Sequence, residues 1–133
     1  MLAHAGAGVE LNATDSGERG LFPLWNIPAQ LDEPAAALAR ACLASGADVF
    51  QRPNTALYEW LRLRLTERRI QGIVLAVPLN CDLWRGEAES LREVFSLPVL
   101  VLEIQESHAG DPRMAGRLQA FVETLSCSAR REN

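Results

Sequence analysis

The feature that most constrains the fold is a pair of short apolar runs, Gly72–Val77 and Val99–Ile104, with a helix-length stretch between them. Continuous apolar runs of this length read as strands buried on both faces of a parallel sheet. The intervening stretch, about Trp84 to Phe95, sets apolar Leu91, Val94 and Phe95 against charged neighbours, as an amphipathic helix would. Two such strands joined by a helix predict a right-handed βαβ unit.

The flanking sequence extends this unit. Ala5–Leu11 reads as a helix end, a glycine turn and a short strand, since glycine tolerates the positive φ of a helix C-cap. A chain that opens on the last turn of a helix suggests a preceding segment, upstream or on another chain. Asn12–Pro28, rich in Gly, Pro, Asn, Asp and Ser, predicts a long loop. Asp32 and Pro34 open an Ala-rich helix that Gly46 ends, and after Pro53 a second helix starts at Asn54. Its apolar positions are Leu57, Trp60, Leu61, Leu63 and Leu65. A last helix from about Pro112 to Leu125 keeps a helical period at Met114, Leu118, Phe121, Val122 and Leu125. Residues 1–125 thus read as a single domain and Ser126–Asn133 as a frayed polar tail. The expected fold class is α/β: a three-layer sandwich around a short parallel sheet of at least three strands, a Rossmann- or flavodoxin-like half.

Composition removes several function classes. The chain of 133 residues has a net charge of -4 and is 48% hydrophobic, enough for one core. Acidic balance argues against a nucleic-acid binder. Arg62, Arg64, Arg68 and Arg69 form the densest basic group, read as a solvated helical face and helix end. No apolar run approaches the roughly 20 residues that span a bilayer, and no secretory signal opens the chain. Cys42, Cys81 and Cys127 are too few and too scattered for a disulfide scaffold, so a cytoplasmic location is expected.

In open parallel sheets chemistry gathers at the carboxyl ends of the strands. That rule selects three loops: Asn12–Arg19, Pro78–Leu83 and Gln105–Asp111. Cys81, with Asp82 beside it, directly follows a predicted strand; its thiolate could bind a soft metal, act as a nucleophile, or simply pack. One cysteine cannot hold an iron–sulfur cluster, which usually takes four. His108 lies in the loop after the second run. In the first loop Asp15, Ser16 and Arg19 are candidate substrate or subunit contacts, with Arg19 as the anion-binding group; Asp82 and His108 join them as candidates. Cys42 is expected to pack in the core, and His4 and Cys127 to be idle. No P-loop, zinc spacing or Ser–His–Asp order is present.

The order of these pieces carries a resemblance. A glycine turn and short strand are followed by an Asp/Ser/Gly/Arg loop, an Ala-rich helix and a Pro53-Asn54 break. Then come Ile70-Gln71-Gly72-Ile73-Val74, Cys81-Asp82, Leu97-Pro98-Val99-Leu100-Val101-Leu102-Glu103 and Arg117-Leu118-Gln119-Ala120-Phe121. From about Ala3 to Leu125 the chain resembles the C-terminal domain of 2-hydroxyacyl-CoA dehydratase subunits, a family that includes benzoyl-CoA reductase subunits. The resemblance implies a 4Fe-4S cluster held mostly by cysteines of an N-terminal domain, with Cys81 matching the one ligand from the Cys-Asp loop. It further implies an ATP-dependent activator protein that delivers one electron, and an acyl-CoA thioester that receives it. The resulting ketyl radical releases the hydroxyl; in the reductases the aromatic ring is reduced instead.

The chain departs from the family pattern at several places. Leu79-Asn80 stand where Lys-Phe is usual, Leu83 where Pro follows Cys-Asp, Asp15 where the first loop carries a cysteine, and Pro112-Arg113 where the last helix begins Gly-Gln. A cluster would therefore need ligands from a partner chain resembling the N-terminal domain, or from a homo-oligomer, and turnover would need the whole complex. Two other readings are a non-catalytic interaction module that keeps the fold without the metal centre, and an unrelated flavodoxin-like domain that binds a phosphate-bearing ligand at the strand ends.

Overall fold

A computed structural model describes residues 6–20, 33–44, 47–105 and 111–131, with the side chains of all of these except 41–44 and 129–131. The element order is α1 (Pro34–Ala44), α2 (Thr55–Glu67), β1 (Ile73–Pro78), α3 (Asp82–Phe95), β2 (Val99–Ile104) and α4 (Pro112–Arg131). The class is α/β with a short parallel sheet, as the two apolar runs predict. The chain divides into two compact units, one of Met1–Glu10 with Arg69–Asn133 and the other of Leu11–Arg68.

In the first unit β1 and β2 pair in parallel, with Ile73 opposite Val99 and Pro78 opposite Ile104, so both strands end at the same level. Helices α3 and α4 pack on this pair. Leu75 and Val77 of β1, Ala88 and Leu91 of α3, Leu102 of β2, and Leu118 and Val122 of α4 are buried. The five apolar positions predicted for α4 are its five sheltered residues within 112–128, two buried and three half-buried. Near the end of α4, Phe121 and Leu125 press on Gly72 at the entry to β1, where a methyl would come within 2.9 Å of each side chain. Glycine is required there for close approach rather than for its backbone freedom.

The structure corrects the sequence expectations in several respects. Among the described residues the sheet has two strands rather than three or more. Val9–Leu11 carry no strand pairing, and Val9 lies largely in solvent. Gly6 does make the expected turn, at φ 76. Nor are the strands buried on both faces: Ala76, Pro78, Glu103 and Ile104 are exposed. Helix α3 begins at Asp82, ahead of Trp84, because Cys81 already occupies its N-cap. Helix α4 continues to Arg131, so Ser126–Arg131 is helical; Ser126 and Ser128 hydroxyls donate to the carbonyls four residues back.

The outer edge of β2 is occupied by arginines. The Pro98 carbonyl accepts from Ile73 N–H, which aims alternate carbonyls of this strand at β1. The intervening ones, of Val99 and Val101, accept from Arg92 at 3.3 Å and Arg117 at 2.8 Å. Charged side chains on an edge strand discourage pairing with another chain.

In the second unit Leu57, Leu61 and Leu65 form the buried stripe of α2, four residues apart on one face. Val49 is fully buried. Leu63, one of the helix's apolar positions, points to solvent. Asn54 stands at the N-cap as expected, without a capping hydrogen bond from its side chain. Helix α1 starts at Pro34 as predicted; Asp32 and Gly46 lie outside the described residues.

Candidate functional site

Cys81 and Asp82 lie at the carboxyl end of the parallel pair. β1 ends at Pro78 and turns sharply: the Cys81 N–H donates to the Pro78 carbonyl at 3.0 Å. The Cys81 carbonyl then accepts the first bond of α3, from Arg85 N–H at 3.1 Å. Cys81 is therefore the N-cap of α3, with φ -99 and ψ 85, and its thiol is free and half-buried. Asp82 is exposed in the first helical turn, where a carboxylate suits the positive end of the helix dipole. Leu79 and Leu83, on either side of the thiol in sequence, are exposed, as is Ile104 at the end of β2.

Two residues that the sequence reading did not select hold this rim together. One terminal nitrogen of Arg85 donates to the Leu79 carbonyl at 2.8 Å and pairs with the Glu103 carboxylate at 3.0 Å. The loop after β1, the first turn of α3 and the end of β2 are thereby tied through one guanidinium. The sequence held a signal: Glu103 is the single charge in an otherwise apolar run, and Arg85 lies four residues, one helical turn, after Cys81.

The other candidates fall elsewhere. His108, like His4, lies outside the described residues, as does the side chain of Cys42. Cys127 is exposed on α4. Among the described residues no three of His, Cys, Asp and Glu converge as a metal site. Cys81 fits the role of a single thiolate donor, and the described residues do not complete a cluster site around it.

Asp15, Ser16 and Arg19 belong to the second unit, in a loop that is folded on itself. Asn12 organises it: its side-chain oxygen accepts from the Thr14 hydroxyl at 2.8 Å, and its carbonyl from Glu18 N–H at 2.7 Å. Asp15 accepts from Ser16 N–H at 2.8 Å. Arg19 donates to the Ala13 carbonyl at 3.0 Å and makes an ion pair with Asp48. Its side chain is 9% exposed, so the cation offered above for anion binding is held within the unit. Arg68 is likewise more than a solvated helix end: it grips both oxygens of Glu18, at 2.6 and 2.5 Å. Those hydrogen bonds hold the Glu18 carboxyl below its usual value against the opposing effect of burial.

A short parallel β-α-β pair with a free thiol at its carboxyl rim makes this a small α/β domain. The model of the family described as 2-hydroxyglutaryl-CoA dehydratase, D-component, matches residues 3–125. The chain belongs to that family. No curated protein and no solved structure matches it. A family described as one component of a dehydratase implies a partner subunit in a complex. No helix among the described residues is long and apolar enough to cross a membrane.

Proposed function

We propose that this chain is a domain or small subunit of a 2-hydroxyacyl-CoA dehydratase or benzoyl-CoA reductase-like complex, and that Cys81 gives one thiolate to a 4Fe-4S cluster. The remaining ligands come from an N-terminal-domain-like partner chain, or from further copies of this chain. When bound, such a cluster supplies one-electron reduction of an acyl-CoA thioester, charged by an ATP-dependent activator. The observation that carries this reading is the place of Cys81 within the family match: a free, half-buried thiol at the carboxyl rim of the parallel pair. Thiolate is the donor iron–sulfur clusters use. Asp82 and His108, which flank the strand ends in sequence, are proposed substrate or subunit contacts, together with Asp15 and Ser16. Arg19 has weaker support in that role because its guanidinium is engaged with Asp48 and Ala13.

The test is anaerobic co-expression with a chain that resembles the family's N-terminal domain, followed by iron and sulfide analysis. The complex is expected to be brown, and Cys81→Ala to lose the colour and most of the iron. Unchanged iron in Cys81→Ala overturns the ligand role.

A second reading, an interaction module that keeps the fold without the centre, draws on one observation. The loop in which Asp15 replaces the family's cysteine closes on itself through Asn12, Arg19 and Asp48, as a structural element would. It predicts a colourless complex that assembles equally well with Cys81→Ala.

A further inference from the structure

We infer that Arg85, paired with Glu103, is a positioning residue for the Cys81 thiol. The inference rests on the reading of Cys81 as the reactive group of the rim.

Cys81 is anchored through its backbone alone. Its N–H is bound to Pro78 and its carbonyl to the Arg85 N–H, while its side chain makes no capping bond. The thiol direction therefore depends on where the Pro78–Cys81 turn sits relative to α3. Leu79 and Asn80 in that turn are exposed, so apolar packing does little to fix it. The contact that does span the turn is the Arg85 guanidinium, bonded to the Leu79 carbonyl inside the turn and to Glu103 on the neighbouring strand. Arg85 is itself rooted one helical turn beyond Cys81, so the turn closes into a ring: Cys81 carbonyl, Arg85 backbone, Arg85 side chain, Leu79 carbonyl. Glu103 sits opposite Val77 in the register and ties that same terminal nitrogen to the sheet.

Such a half-exposed ion pair adds little to global stability. Its effect is local, on the population of turn conformations that present the thiol. Guanidinium is suited to this because the two N–H bonds of one planar terminal nitrogen point in fixed directions, whereas an ammonium rotates freely.

The experiment uses the full metal-free chain. The alkylation rate of each cysteine by iodoacetamide is followed at one pH by peptide mass spectrometry, with exposed Cys127 as the internal reference. Arg85→Ala is expected to raise the Cys81 rate about fivefold while the Cys127 rate and the circular dichroism stay as in the wild type. Glu103→Gln and Arg85→Lys are expected to give smaller increases, since each keeps one of the two anchors. A Cys81 rate in Arg85→Ala within experimental error of wild type overturns the inference. Should Arg85→Ala lose its circular dichroism, Glu103→Gln decides instead, and an unchanged Cys81 rate there overturns it. Because no metal is present, the result stands apart from the iron analysis. A cluster that forms without rate effects sinks Arg85 and keeps the ligand role, and rate effects in a chain that never takes iron do the reverse.

Discussion

Replacing Gly20 with alanine should unfold the Asn12–Gly20 loop, at a cost that can be worked from its contacts. A methyl at Gly20 would fall on the Asp15 carbonyl oxygen and within 2.8 Å of its carbonyl carbon. These are backbone atoms, which cannot swing aside as a side chain can. Moving them displaces the chain between Asp15 and Gly20, and with it the bonds from Gly20 N–H to Gly17 and from Gly17 N–H to Thr14, both 3.1 Å. The Arg19–Asp48 pair would go as well, since Arg19 adjoins Gly20. At about 1 kcal/mol for each of these three interactions, the loss is about 3 kcal/mol. Gly86 in α3 and Gly116 in α4 provide the opposite case: an added methyl meets nothing within 4 Å at either position. Alanine there should stabilise by about 0.5–1 kcal/mol through helix propensity and a less flexible unfolded chain. Urea denaturation followed by far-ultraviolet circular dichroism would rank the variants Gly116→Ala and Gly86→Ala above wild type and Gly20→Ala well below it. A Gly20→Ala midpoint equal to wild type would show that Gly20 does not lie against the Asp15 carbonyl and would refute the close approach.

Other expected outcomes are more direct. Leu102→Ala, which empties a buried site on β2, should cost about 2–5 kcal/mol by the same denaturation assay. Because the Glu18 carboxyl is held below its usual value in the folded chain, its pairing with Arg68 stabilises above that usual value and is lost as the pH falls through the lowered one. Glu18→Gln should therefore be less stable than wild type at neutral pH and converge with it in acid, as read from urea midpoints across the acid range. Replacing Arg92 and Arg117 together by alanine uncovers the Val99 and Val101 carbonyls and should increase self-association, measured by light scattering at matched concentration.

How far the sequence carried depends on whether a feature is local. The strands and the sheltered face of α4 are legible because burial leaves a period in one stretch of chain, and the place of Cys81 follows from its position just after a strand. The start of α3 is not legible because Leu79 and Asn80 close the turn in two residues where the sequence suggests a longer loop. The extension of α4 was missed because its last turns need no apolar period. The pairings Arg85–Glu103, of which the sequence shows the two residues but not the contact, and Arg19–Asp48 are hidden for a different reason. Each joins positions far apart in the chain, and only the register of β1 on β2, or the folding of the Asn12–Gly20 loop, brings them together. The third strand failed because Val9–Leu11 has strand-like residues without the length or burial to hold a ladder.

The two guanidinium groups along β2 give the sheet a direction of growth. With Val99 and Val101 already satisfied, a strand arriving on that flank would have to evict two cations before its first backbone bond could form. Added β-structure is accordingly discouraged on this flank, and β2 stays at the margin.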